Sequence, residues 1–189
     1  PIIDDLPSNS ERELKQELLN LEGEKRLVVF TVGGTSIGRT LAEFVTRNAG
    51  EISSALNAHL ALLLGPSLEA SSFTWKGQNL TVVPFTTDSL KYFKASDCVV
   101  TQAGASTLNE VATLGKPCVC VPIANHWEQR QNAERFARRF NFSVLRYDEL
   151  STDNLKLAVE RTTSMTYRPL DTSNAPTESA RLICNMLDE

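Results

Sequence analysis

Six short runs of β-forming residues, each leading into small or polar residues and then an amphipathic stretch, constrain this chain most. They are Arg26–Val32 (RLVVFTV), His59–Leu64 (HLALLL), Leu80–Phe85 (LTVVPF), Cys98–Gln102 (CVVTQ), Cys118–Pro122 (CVCVP) and Ser143–Tyr147 (SVLRY). Most are apolar at consecutive positions rather than alternate ones, the pattern of strands buried on both faces. Arg39–Asn48, Glu51–Ala58, Asp88–Ala95, Thr107–Leu114 and Gln129–Arg139 read as intervening helices. In the fourth of these, Leu108, Val111, Ala112 and Gly115 fall at i, i+3, i+4 and i+7, one helical face. Two more helices, Thr152–Ser164 and Thr177–Leu187, close the chain. Strands alternating with helices predict an α/β fold, a doubly wound Rossmann-like parallel sheet of about six strands covered on both faces.

Ahead of the first strand, Ser10 is placed to cap a helix over Glu11–Leu21, with Glu13 completing a capping box and Gly23 ending it. Residues 1–25 therefore read as a linker with a lead-in helix, and residues 26–189 as the folded domain. The chain begins at Pro1 without Met, which reads as processing or as a piece of a longer protein.

With 189 residues, 41% of them hydrophobic, the chain can bury one sizeable core. Its net charge of -4 comes from the first 25 residues, where seven acids outnumber three bases; the remainder is balanced. Nucleic acid requires a basic footprint, and none is visible. Arg130, Arg135, Arg138 and Arg139 share one helix and read as a solvated face. The four cysteines form no C-x-x-C; Cys118 and Cys120 share one strand face and read as buried apolar residues in a reducing cytoplasm. No signal peptide is apparent, and no apolar run approaches the ~20 residues of a spanning helix.

In open α/β sheets ligands bind beyond the carboxyl ends of the strands, so the residues just after each strand carry the functional information. Gly33-Gly34-Thr35-Ser36-Ile37-Gly38 follows the first strand. It lacks the Lys-Ser/Thr of a P-loop, and Thr35 stands where a dinucleotide fingerprint has its middle glycine. After the second strand, Gly65-Pro66-Ser67 replaces the acid that would hold an NAD ribose, which disfavours a nicotinamide enzyme. What remains is either an anion-binding turn at a helix start or a tight turn capped by Thr35 or Ser36. Gln102-Ala103-Gly104-Ala105-Ser106-Thr107 repeats the strand–small residue–helix pattern after the fourth strand. Two such helix starts facing one cleft suit a diphosphate. Glu110 is either the second half of a T-x-x-E capping box with Thr107 or a ribose ligand. The segment Asn125–Asn132 crowds polar groups, among them His126, Glu128 and Gln129, which suit hydroxyl-rich ligands or a plain surface loop.

Taken together, TQAGASTLNEVATLGKPCVCVP followed by HWEQRQNA resembles the donor-sugar half of the glycosyltransferase B fold. The likeness is to the family 28 C-terminal domain, a group that includes the N-acetylglucosaminyltransferase of peptidoglycan precursor synthesis. GGTSIG resembles that family's first Gly-rich loop, and Phe85-Thr86 lies where its uracil-contacting segment follows the third strand. The resemblance implies a diphosphate cradled by Gly33, Gly34, Thr35 and Ser36 together with Gly104, Ala105, Ser106 and Thr107. It implies ribose held by Glu110 and donor sugar held by Glu128 and Gln129, with His126 in the same loop. Related plant-type enzymes carry His where this chain has Gln102.

The function so implied is donor binding in an inverting glycosyltransferase that moves a sugar, N-acetylglucosamine among the candidates, from a UDP-sugar to an acceptor. No resident cofactor and no metal site are expected, since the chain has two His and no D-x-D. The N-terminal, acceptor-binding half is absent, so no catalytic residue is assigned and the isolated chain is expected to be inactive. That half would be supplied in the same polypeptide or by a partner chain, and would bring any peripheral membrane association of a cytoplasmic protein. The alternatives are a stand-alone donor subunit needing a partner, a nucleotide-sugar epimerase or hydrolase, and a non-catalytic nucleotide-binding module.

Overall fold

The structure, a computed structural model, describes residues 6–140, 142–166, 169–171 and 175–187. Six strands form one sheet: β1 (Leu27–Thr31), β2 (His59–Leu63), β3 (Leu80–Val83), β4 (Cys98–Thr101), β5 (Cys118–Cys120) and β6 (Ser143–Val144). Their order is β3-β2-β1-β4-β5-β6, and every pairing is parallel. Eight helices accompany them among the described residues: α1 (Glu11–Leu19), α2 (Arg39–Arg47), α3 (Ala49–Leu56), α4 (Ser89–Ala95), α5 (Ala105–Thr113), α6 (Trp127–Phe140), α7 (Thr152–Thr163) and α8 (Ala175–Leu187).

The consecutive apolar residues of each strand supply both faces of the sheet, because successive side chains point to opposite sides. Val28, Phe30 and Val32 join Leu60 and Leu62 under α2, α3 and α7, with Leu41, Val45, Ile52, Leu155 and Val159. Leu27 and Val29 join Ala61 and Leu63 on the other face, with Leu14, Phe93, Leu108 and Val111. Cys118 and Cys120 lie together on that second face and Cys98 on the first; all three are fully buried, and burial pushes the Cys118 thiol up and the Cys98 thiol up to about 12. They are inert core thiols.

Several element ends differ from the sequence expectation. The capping box of Ser10 and Glu13 is present, but α1 stops at Leu19, with Asn20 in the left-handed region at φ 52; Gly23 is not the terminator. Asn is one of the few residues that tolerates that conformation. The lead-in helix is also built into the domain. Leu14 is fully buried, and Lys15 Nζ binds Asp97 and the Lys25 carbonyl, each at 2.9 Å. Asp97 in turn accepts from the Leu27 backbone N–H at 2.7 Å, tying α1 to the first strand. Helix α3 begins at Ala49, directly after α2, and β6 is only two residues long before a turn at Tyr147–Glu149.

The strand order places the topological switch between β1 and β4. β1 connects onward to β2 on one side, whereas β4 connects to β5 on the other, so the loops leaving these two neighbours diverge and open a crevice.

Candidate functional site

The crevice is bounded by the two glycine-rich turns. Thr31 of β1 pairs with Thr101 of β4, so the Gly33 and Gly104 turns leave adjacent strands at the same height. Gly33 has φ 69, a conformation that a side chain would strain, and Gly33–Ile37 are all exposed. Ser36–Gly38 forms a single 3-10 turn that runs into α2. Thr35 occupies its cap position, yet its side chain makes no capping hydrogen bond. The tight-turn alternative with Thr35 as a cap is therefore not what the fold uses. The turn is instead braced from the loop after β2: Ser67 Oγ donates to the Gly34 carbonyl at 2.8 Å. A Cβ on Gly65 would lie 1.8 Å from the Gly33 carbonyl oxygen, so only glycine lets these two loops touch.

The second turn is built differently. Ala103 is fully buried and takes φ 65, unusual for a residue with a Cβ. Its carbonyl accepts from Asn132 Nδ2 at 3.3 Å. Gly104 is the N-cap of α5 and has no side chain to satisfy the first N–H groups of the helix. Those of Ala105, Ser106 and Thr107 have no intrahelical acceptor, and the turn is open to solvent. Gln102 lies just before, 4% exposed, and its Nε2 has no hydrogen-bond partner among the described residues. A buried donor left unpaired costs about 1–3 kcal/mol, so the end of β4 is short of an acceptor.

Glu110 settles one open alternative. Helix α5 starts at Ala105, two residues earlier than expected, so Thr107 sits inside the first turn rather than at the cap. The T-x-x-E sequence does not form a capping box. Glu110 is half-buried, with no hydrogen-bond or ion-pair partner among the described residues, and burial raises its carboxyl above the usual range.

The segment after β5 joins this group through Asn132. Asn125 takes φ 64, which turns the chain into α6. His126 Nδ1 accepts from the Gln129 backbone N–H at 3.4 Å and so acts as a cap. Gln129 Oε1 accepts from the Ile123 backbone N–H at 3.0 Å. One lone pair of this oxygen closes the loop, and the amide keeps its second lone pair and its Nε2 hydrogens to offer a ligand. Glu128 is exposed. Phe85 stands apart, 59% exposed just beyond edge strand β3, a strand that lies three strand spacings or ~14 Å from β4. Thr86 Oγ1 accepts from the Asp88 N–H at 3.0 Å and fixes the turn behind Phe85.

The structure thus brings the Gly33–Ser36, Gly104–Thr107, Glu110 and His126–Gln129 groups to one edge, with Phe85 and Thr86 at its far end. Ser67 and Asn132, which hold the turns in place, and the αL conformation of Ala103 were not singled out from sequence. Among the described residues no three or more His, Cys, Asp or Glu lie together as a metal site would require.

Residues 28–186 match the glycosyltransferase family 28 C-terminal domain. The chain belongs to that family. It is 30% identical over 169 residues to the UDP-N-acetylglucosamine–N-acetylmuramyl-(pentapeptide) pyrophosphoryl-undecaprenol N-acetylglucosamine transferase of Caldicellulosiruptor saccharolyticus, covering 85% of this chain and 45% of that protein. It is 27% identical over 188 residues to an uncharacterized glycosyltransferase of Methanopyrus kandleri, covering 98% of this chain and 52% of the other. The crystal structure of Acinetobacter baumannii MurG superposes with a TM-score of 0.58 at 18% identity, over 84% of this chain and 48% of that one. The chain spans about half the length of the curated relatives it matches. No helix among the described residues is long and apolar enough to cross a membrane.

Proposed function

We propose that this domain binds the UDP-linked donor sugar of an inverting glycosyl transfer. The observation that carries the reading is the pair of open helix starts at the switch point, with Glu110, unpartnered among the described residues, one turn into α5. A diphosphate lying across Gly33–Ser36 and Gly104–Thr107 would receive backbone N–H donors from both sides. Gln102 Nε2 stands at the end of β4, beneath the same crevice, with a donor to offer. Glu110 accepts from the ribose hydroxyls, and Phe85 and Thr86 lie at the base end. Glu128, Gln129 Nε2 and His126 face the sugar. The UDP-N-acetylglucosamine named for the 30% identical transferase supports uridine and N-acetylglucosamine as first candidates.

In the reaction an acceptor hydroxyl oxygen bonds to the anomeric carbon as the bond from that carbon to the phosphate oxygen breaks. UDP departs with the electron pair, and the hydroxyl proton passes to a base. This domain would stabilise the charge developing on the diphosphate through fixed backbone donors and the two helix starts. The base, the acceptor site and any peripheral attachment to the cytoplasmic face of a membrane belong to a second half, in the same chain or a partner.

Calorimetry on the chain with UDP, UDP-N-acetylglucosamine and NAD tests this. The uridine ligands should bind in the micromolar to millimolar range, about -4 to -8 kcal/mol, and NAD should not. Binding of NAD without uridine nucleotides would refute it, and sugar transfer by the chain alone would refute the need for a second half.

A further inference from the structure

A cleft of about 680 Å3 lies outside the diphosphate crevice, between the start of α6 and the segment after β6. Its walls include Trp127, Arg130 and Glu134 of α6, faced by Arg146, Tyr147 and Asp148. This is the volume of an ordinary small-molecule site. Neither glycine-rich turn nor Glu110 lines it; it shares only His126 and the adjoining loop with the donor side. Helix α6 separates the two. Asn132 reaches back to the Ala103 carbonyl, whereas Trp127, Arg130 and Glu134, spaced by three and four, form a different stripe that faces the cleft.

Two observations define the chemistry of this cleft. Trp127 is 68% exposed, so its indole lies bare at the cleft wall. The negative face of an aromatic ring complements the weakly positive C–H face of a pyranose. The charges around it are already matched. Arg130 Nε lies 3.8 Å from Glu134, and Arg146 donates to Asp148 through Nε at 3.0 Å and its terminal nitrogen at 2.6 Å. An anionic ligand finds no unmatched cation among these groups, while a ring bearing several hydroxyls finds both donors and acceptors.

We propose that this cleft binds an uncharged pyranose saccharide stacked on Trp127.

Saturation-transfer NMR tests the cleft directly, with methyl β-glucopyranoside and N,N′-diacetylchitobiose as uncharged probes and glucose 6-phosphate as the anionic one. Ring protons of an uncharged probe should receive saturation from the unmodified chain without any nucleotide. Trp127→Ala should weaken that binding about tenfold, ~1.4 kcal/mol, and Trp127→Phe should restore most of it. UDP affinity should be the same in all three proteins, which also shows that they are folded. No transfer to either uncharged probe, equal transfer with Trp127→Ala, or stronger transfer to glucose 6-phosphate would overturn the proposal. Saccharide binding by a chain that fails to bind UDP would sink the donor-domain reading and leave the cleft as a saccharide site.

Discussion

Replacing Glu110 with Gln changes one oxygen for an NH2 and leaves the shape of the side chain intact. The carboxylate is half-buried with no hydrogen-bond or ion-pair partner among the described residues, and burial raises its pKa from 4.5. A carboxyl whose folded pKa is raised favours folding in its protonated form. Its contribution is fully present below the unfolded pKa and is lost as pH rises through the raised folded value. At neutral pH the charged group is therefore a small burden on the fold, and Glu110→Gln should leave thermal stability unchanged or slightly higher. Binding should respond oppositely. A carboxylate accepting from ribose hydroxyls makes charge-assisted hydrogen bonds worth about 1.5–3 kcal/mol, so the variant should lose roughly 10- to 150-fold in UDP affinity. The same logic makes the affinity of the unmodified protein fall as acid protonates Glu110, a slope that the Gln variant lacks. Calorimetry across pH and a melting curve measure both quantities. Loss of stability with unchanged UDP affinity would refute the reasoning and make Glu110 a structural residue.

Gly34→Ala should fold normally, since a Cβ there meets nothing within 4 Å and its φ is not positive, yet weaken UDP about tenfold by standing between backbone N–H groups and phosphate; melting and calorimetry together check this. Gln129→Glu keeps an oxygen for the Ile123 N–H but removes the amide donor, so it should weaken a UDP-sugar several-fold and leave UDP within about twofold, whereas Gln129→Ala should also loosen the loop and lower the melting temperature. His59, buried at the amino end of β2 beside Thr81, has its pKa lowered from 6.5 by burial. Neutral His59 therefore favours the fold; that stability is present above 6.5 and falls as pH drops through the lowered value, a loss that denaturant titrations of His59→Gln should not show.

The sheet was legible because β1, β2, β4 and β5 are buried on both faces, which calls for nearly continuous apolar runs. Positions after the strands were legible because the switch-point rule follows from connectivity alone. Helix starts were less so. Thr107 and Glu110 spell a capping box, but the left-handed Ala103 turns the chain two residues sooner, and no local signal in Gln-Ala-Gly announces a residue with a Cβ at positive φ. Gln129 faces the same difficulty: helical spacing places the residue, while the direction of its oxygen depends on Ile123, six residues back in the loop. Asn132 was invisible as a brace because its acceptor lies 29 residues away in sequence. The cleft beside Trp127 depends on β6 and the turn after it, whose shortness the sequence run SVLRY conceals.

The central claim is that a uridine diphosphate occupies the crevice between β1 and β4. The most direct measurement is a titration of the 15N-labelled chain with UDP, followed by amide chemical shifts. Saturable shifts are expected at Gly33–Ser36 and Gly104–Thr107 together, extending toward Phe85 and Thr86, with little change at His59 and the opposite end of the sheet. Shifts confined to one turn, located away from both, or absent at millimolar UDP would contradict it.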